Sequence, residues 1–302
     1  MKLPLFDAHC DTLSAMQEFD QPLWRNRLHL DLERGQNYMP RAQFFAIFGQ
    51  AFWPQYHLFQ AALRENQAHM MFCRTAMDAE TAALEGKTAA FLSVEGAELL
   101  DCSLDRLDEA HKLGVRMVTL TWNHENALSG TNLEAPDRGL TALGRQFVRR
   151  CQALGVIVDV SHLSEPGFWD VVEEMTGPFV ASHSNSSAVW PHSRNLTDAQ
   201  FLAIVKAGGV AGLNLYSAFV GEDPDVDSMV AHVERFLSLG GEKSIAIGAD
   251  LDGCDSLPRG IAGVQDIEKL AERLLRRNYT EALVRDIFYN NLCKVVEDIC
   301  VI

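Results

Sequence analysis

The stretches FDAHCDT (residues 6–12), SVEGAE (93–98), DVSHLS (159–164), ASHSNSS (181–187) and GADLDG (248–253) each close a hydrophobic, β-prone run with His, Asp or Glu. Residues so far apart in the chain (His9, Asp11, Glu95, His162, His183 and Asp250) converge only if their strands are neighbours whose ends share one face. The (β/α)8 or TIM barrel has this property, with its chemistry at the carboxyl ends of the strands. The pattern therefore predicts an α/β fold of that kind, with a metal site at its mouth.

Working outward, β-branched or aromatic runs recur as LFDAH, QFFAIFG, TAAFLSVEG, VRMVTLTWN, GVIVDVSH, PFVASH, GVAGLNLY and SIAIGAD, which makes eight predicted strands. Near-continuous apolar strands separated by amphipathic stretches indicate a parallel sheet with helices packed against it. In TALGRQFVRRCQALG (141–155), Leu143, Phe147, Val148, Cys151 and Leu154 share one helical face. Thr197 and Gln200 form a capping-box pattern at the start of TDAQFLAIVKAGG. Leu283, Ile287, Leu292, Val295 and Ile299 predict a closing helix. The segments 14–40, 51–57 and 127–139 fit neither period and are predicted to be loops over the barrel mouth, where specificity is usually carried. With no repeat, low-complexity segment or linker, residues 1–302 read as a single barrel domain.

Composition agrees. A chain of 302 residues that is 47% hydrophobic can bury a large core, and it somewhat exceeds the roughly 250 residues typical of such a barrel. A formal net charge of -15 argues against nucleic-acid binding, which needs a basic stripe facing the phosphates. No apolar run reaches the length of a membrane span, so no membrane association is expected. A cleavable export signal of about 15–30 residues would take His9 and Asp11 with it. The seven cysteines contain no CxxC pair and read as reduced thiols. These features together predict a cytoplasmic protein.

Alternation along the first strand sends His9 and Asp11 one way and Cys10 the other, which leaves Cys10 for the core. Glu95 follows the run AAFLSV, whose only polar residue is Ser93, and a buried carboxylate must be paired or coordinated. Alone, Glu95 could bridge to an arginine, and His162 or His183 could be satisfied core histidines. Three imidazoles and three carboxylates at strand ends are harder to explain by coincidence. They offer N and O ligands without thiolate, a set suited to zinc and open to manganese or cobalt. Asp252 reads as a turn residue, because DLDG lacks the remaining ligands of a calcium loop.

The chain resembles the membrane dipeptidase (renal dipeptidase) family, a metallopeptidase branch of the amidohydrolase barrels. The resemblance rests on FDAHCDT, SVEG, LGVRMVTLTWN, LGVIVDVSH, PFVASHS followed by RNLTD, GADLDG and LLRRNYTEALV. It implies two zinc ions, one on His9 and Asp11, the other on His162 and His183, bridged by Glu95. It further implies Asp250 as the proton shuttle, Arg194 as the grip on a substrate's terminal carboxylate, and attack by a bridging water. The expected substrate is a small dipeptide with a free C-terminal carboxylate, with a D-residue tolerated there, and many members are homodimers.

One position departs from the family. Members commonly carry a histidine after the fourth-strand LTLT run to hold the substrate carbonyl, whereas this chain has Trp122 in TLTWNHEN, and His124 is the candidate substitute. Two competing readings remain: hydrolysis of N-acyl amino acids or cyclic amides on the same binuclear site, and a catalytically silent barrel. The second requires loss of an essential residue, and none of the carried-over ligands is missing.

Overall fold

The computed structural model describes residues 2–49 and 51–301. Its strands, in chain order, are β1 (Leu5–Asp7), β2 (Arg41–Ile47), β3 (Met70–Phe72), β4 (Thr88–Glu95), β5 (Val115–Thr119), β6 (Ile157–Asp159), β7 (Val180–Ala181), β8 (Val210–Leu213) and β9 (Ile245–Ile247). All pairings between them are parallel. The ring runs β1-β2-β4-β5-β6-β7-β8-β9 and closes back on β1, so eight strands form a barrel surrounded by helices. The eight strands of the ring are those predicted from the sequence. β3 is the addition: it flanks the first half of β4, with Met70 opposite Thr88, while β5 pairs with the second half.

The barrel interior explains why chemistry sits at one end only. Toward the amino end Phe6, Phe44 and Phe91, from β1, β2 and β4, pack with ring centroids 5.1–5.7 Å apart. They join Met117, Ile157, Val180, Val210 and Ala246 in one buried cluster that also takes in Tyr289, whose ring lies 5.7 Å from Phe6. The C-terminal segment thus plugs the amino end with apolar bulk. Asn291 ties that plug down by donating to the carbonyls of Glu242 and Ile245, each at 2.9 Å. A separate, larger cluster fills the layer between the strands and the helices.

Local sequence accounts for the helices that set the loops. Thr141 caps Ala142–Leu154, which buries Phe147, Val148 and Cys151. Thr197 and Gln200 make the expected reciprocal box at the start of Asp198–Ala207. The closing segment is helical, with a π turn at Asp286–Asn290 between Glu281–Arg285 and Asn291–Ile299. Residues 51–57 are not a loop: Phe52–Glu65 is a helix with Phe52, Gln55, Phe59 and Ala62 buried. Pro54 is tolerated in its first turn, where the backbone N–H would lack an intrahelical partner anyway. Likewise 14–40 is irregular only outside the helix Thr12–Phe19 and the short 3-10 helix Arg34–Asn37. Cys10 is buried in the outer core, and all seven cysteines are free. Among the described residues no helix is long and apolar enough to cross a membrane.

Candidate metal centre

The six residues that end the apolar runs meet at the carboxyl end of the barrel, and all six are buried. His9 and Asp11 lie just past β1, Glu95 is the last residue of β4, and His162, His183 and Asp250 follow β6, β7 and β9. Glu95 stands between the others. Its Oε2 is 3.4 Å from His9 Nε2, while its Oε1 is 3.2 Å from His162 Nε2 and 3.5 Å from His183 Nε2. His9 Nε2 is also 3.6 Å from Asp11 Oδ2 and 3.9 Å from Asp250 Oδ1.

The backbone is bent to deliver two of these side chains. His162 and Asp250 each stand three residues past their strand, in left-handed conformations with φ of 68° and 57°. Such non-glycine residues are uncommon and cost of order 1–3 kcal/mol. Asp250 is then fixed from below: Asn214, just past β8, donates from Nδ2 to Asp250 Oδ2 at 2.9 Å. Asn214 is itself held, its N–H donating to Asn185 Oδ1 and its carbonyl accepting from Asn185 Nδ2. Oδ1 of Asp250 is left facing the cluster.

Three observations test whether a cation fits. His9 Nδ1, His9 Nε2 and Asp11 Oδ1 are buried without a hydrogen-bond partner. Ligand-capable atoms of His9, Glu95 and His183, and again of His9, Asp11 and Asp250, fall within 4.8 Å of one another. A Cβ on Gly253 would lie 2.2 Å from Asp11 Oδ2 and 2.3 Å from Asp250 Oδ1, so this glycine keeps open the space those carboxylates share. Buried carboxylates and imidazoles with unused lone pairs are the chemistry of a hard or borderline cation site.

Charge within the cluster is correspondingly unbalanced. Burial, together with Asp11 and Glu95, pushes the Asp250 carboxyl up to about 7, the reverse of what a neighbouring cation would do. Burial and Glu95 raise Asp11 to about 6. Burial opposes a charge on His9, yet Glu95 and Asp11 hold its imidazole well above the ordinary range. Burial, assisted by the Arg194 cation, lowers His162 to about 4 and takes His183 in the same direction, so both are neutral and able to ligate.

Arg194 borders the same space. It is buried, and its Nε and Nη2 have no hydrogen-bond partner. The guanidinium lies 5.5 Å from the Phe219 ring centre. With His162, Ser184, Asn132 and Gln200 it lines a cavity of about 350 Å³. Burial lowers its pKa to about 10, which leaves it charged near neutrality.

His124 does not join the site. Its side chain is 75% exposed and its Nδ1 pairs with Glu134 Oε2 at 3.2 Å. The inward-facing polar group of that loop is Asn123, whose Oδ1 meets His162 Nδ1 at 2.9 Å. An exposed ion pair contributes about 0–1 kcal/mol. His124→Ala is therefore expected to change kcat/KM for a dipeptide by less than about fivefold. A loss above about 10²-fold, the scale of an oxyanion donor, would instead place it on the substrate. Beyond Asn123, the sequence reading passed over Asn214, Gly253, Ser182 and Asp159. Asn214, Gly253 and Ser182 are small or amide-type residues with little local signal beyond the apolar run before Asn214, whereas Asp159 is a carboxylate that ends the apolar strand β6.

A closed parallel barrel with buried imidazoles and carboxylates at its carboxyl end has the architecture of a metal-dependent hydrolase. A family model described as membrane dipeptidase (peptidase family M19) matches residues 1–301, and the chain belongs to that family of peptide-bond hydrolases. An uncharacterized protein in the pqqA 5′ region of Klebsiella pneumoniae is 31% identical, over 82% of this chain and 95% of its own. Another, from the PQQ-III 3′ region of Acinetobacter calcoaceticus, is 32% identical over 78% and 89%. A metallo peptidase from Rhodobacter sphaeroides, solved with a phosphinate mimic of the dipeptide L-Ala-D-Ala, is similar with a TM-score of 0.89 and 27% identity, covering 99% of this chain and 100% of that one. A dipeptidase of the same family is similar with a TM-score of 0.90 and 28% identity over 99% of each chain.

Proposed function

We propose that the protein is a binuclear zinc dipeptidase acting on dipeptides with a free C-terminal carboxylate, including those ending in a D-residue. The observation that carries this reading is Glu95, with one oxygen toward His9 and the other toward His162 and His183. That divides the ligands into His9 with Asp11 and His162 with His183, with Glu95 shared. Two divalent cations held by these residues would supply Lewis acidity for the scissile carbonyl and for acidifying the attacking water. Asp250 Oδ1 takes the proton released in the attack and returns it to the departing amine nitrogen. Arg194 offers two N–H groups in a planar fork to the terminal carboxylate. Tolerance of a D-residue is supported by the L-Ala-D-Ala mimic bound to the Rhodobacter sphaeroides peptidase.

The test separates binding from chemistry. Hydrogen bonds to charged groups contribute about 1.5–3 kcal/mol. Arg194→Met is expected to lower kcat/KM about 10- to 100-fold on free L,L and L,D dipeptides while changing little on C-terminally amidated ones. Equal losses on both would make Arg194 a structural residue. Faster turnover of N-acetyl amino acids than of any dipeptide would overturn the dipeptidase reading.

A further inference from the structure

We infer that Asn123 and the Ser182–Asp159 pair fix the tautomers of His162 and His183, so that both imidazoles present Nε2 to the metal. This rests on the metal-site reading above and assigns positioning residues to it. A neutral imidazole carries one ring proton, and the nitrogen holding it cannot ligate. The group facing the other nitrogen therefore decides which atom is free.

For His183 that group is Ser182. Its Oγ lies 2.7 Å from His183 Nδ1 and 2.6 Å from Asp159 Oδ2. Asp159 already accepts the backbone N–H groups of Ser161 (3.0 Å) and Ser182 (2.8 Å) on Oδ1, and the Thr119 hydroxyl (2.6 Å) on Oδ2. The fourth donor it can take is the Ser182 hydroxyl. With that single proton given to Asp159, Ser182 turns a lone pair toward His183 Nδ1, which must carry its hydrogen. For His162 the group is Asn123, whose carbonyl oxygen accepts from Nδ1 at 2.9 Å.

Both Nε2 lone pairs then point into the cluster. They lie 3.0 Å from each other and 3.2 and 3.5 Å from Glu95 Oε1. Three acceptors this close repel until a cation sits among them. Asp159 ends β6, and Ser182 directly follows β7, so the relay is anchored in the barrel wall and sets the ring orientation as well as its proton.

The test measures zinc binding by competition with a chromophoric chelator, on protein stripped and then refilled. Outer-shell partners of metal ligands typically contribute 10- to 100-fold in affinity. Ser182→Ala and Asn123→Leu are each expected to weaken zinc binding by about that factor, with near-ultraviolet circular dichroism unchanged. Asn123→Asp keeps an acceptor oxygen against Nδ1 and is expected to bind at least as tightly as the wild type. In ¹⁵N-histidine-labelled zinc protein, long-range ¹H–¹⁵N spectra should show His162 and His183 protonated at Nδ1. Coordination through Nδ1, or wild-type affinity in both Ser182→Ala and Asn123→Leu, overturns the inference. Equal weakening in Asn123→Asp and Asn123→Leu removes Asn123 from it. Wild-type protein that takes up no zinc would overturn the metal-site reading itself, a distinct outcome.

Discussion

Asp250→Asn is expected to lower kcat for a dipeptide by about 10²–10⁴-fold, the usual range for a lost general acid or base, while zinc content stays at the wild-type level. The substitution nearly preserves shape, and Asn214 still faces the same atom position, since it now holds Oδ2 at 2.9 Å. What changes is Oδ1, which can no longer take a proton and return it. An amide nitrogen leaving without a proton is too poor a leaving group, so both halves of the reaction lose the same atom. Asn turnover near the wild-type rate with metals bound would remove Asp250 from proton transfer. Metal loss in parallel with activity would make it a ligand instead.

Glu95→Ala is expected to have the larger effect on metal content. Its carboxylate is the group whose separate oxygens approach His9 on one side and His162 and His183 on the other. Removing it leaves each remaining set short of an anionic ligand, and truncating one member of a buried charged cluster is commonly worth about 3–5 kcal/mol. Zinc per chain, measured by atomic emission after gel filtration, should fall well below the Asp250→Asn value, and dipeptide hydrolysis should fall with it. Full zinc occupancy in Glu95→Ala would show that the two ligand sets are independent and that Glu95 does not join them.

These expectations depend on residues that differ in how visible they are in the sequence. His9, Asp11, Glu95, His162, His183 and Asp250 stand out because a charged or ligating side chain ends an otherwise apolar strand, and burial makes such a group costly unless it is used. The eight strands of the ring were legible as β-branched or aromatic apolar runs separated by amphipathic stretches. β3 was not: Met70–Phe72 has no β-branched residue, and it is held only by the first half of β4. The helix Phe52–Glu65 was hidden by Pro54 and by aromatic residues that blur its period. His124 looked like a contact for the substrate carbonyl by type, but a one-residue step along the loop sends Asn123 inward and His124 out to Glu134. Ser182, Asn214 and Gly253 are ordinary residues whose importance comes from what stands opposite them, a long-range fact with no local signature. Arg194 was readable only by resemblance, since an arginine in a loop is usually a surface residue.

The central claim, that this barrel hydrolyses dipeptides with two metal ions shared through Glu95, is tested most directly by refilling stripped protein with zinc while following both occupancy and turnover of an L,D dipeptide. The expected result is binding of two equivalents per chain, full activity only as the second site fills, and loss of that activity on adding a strong chelator. Full activity with a single saturating equivalent, or turnover that survives complete chelation, would contradict it.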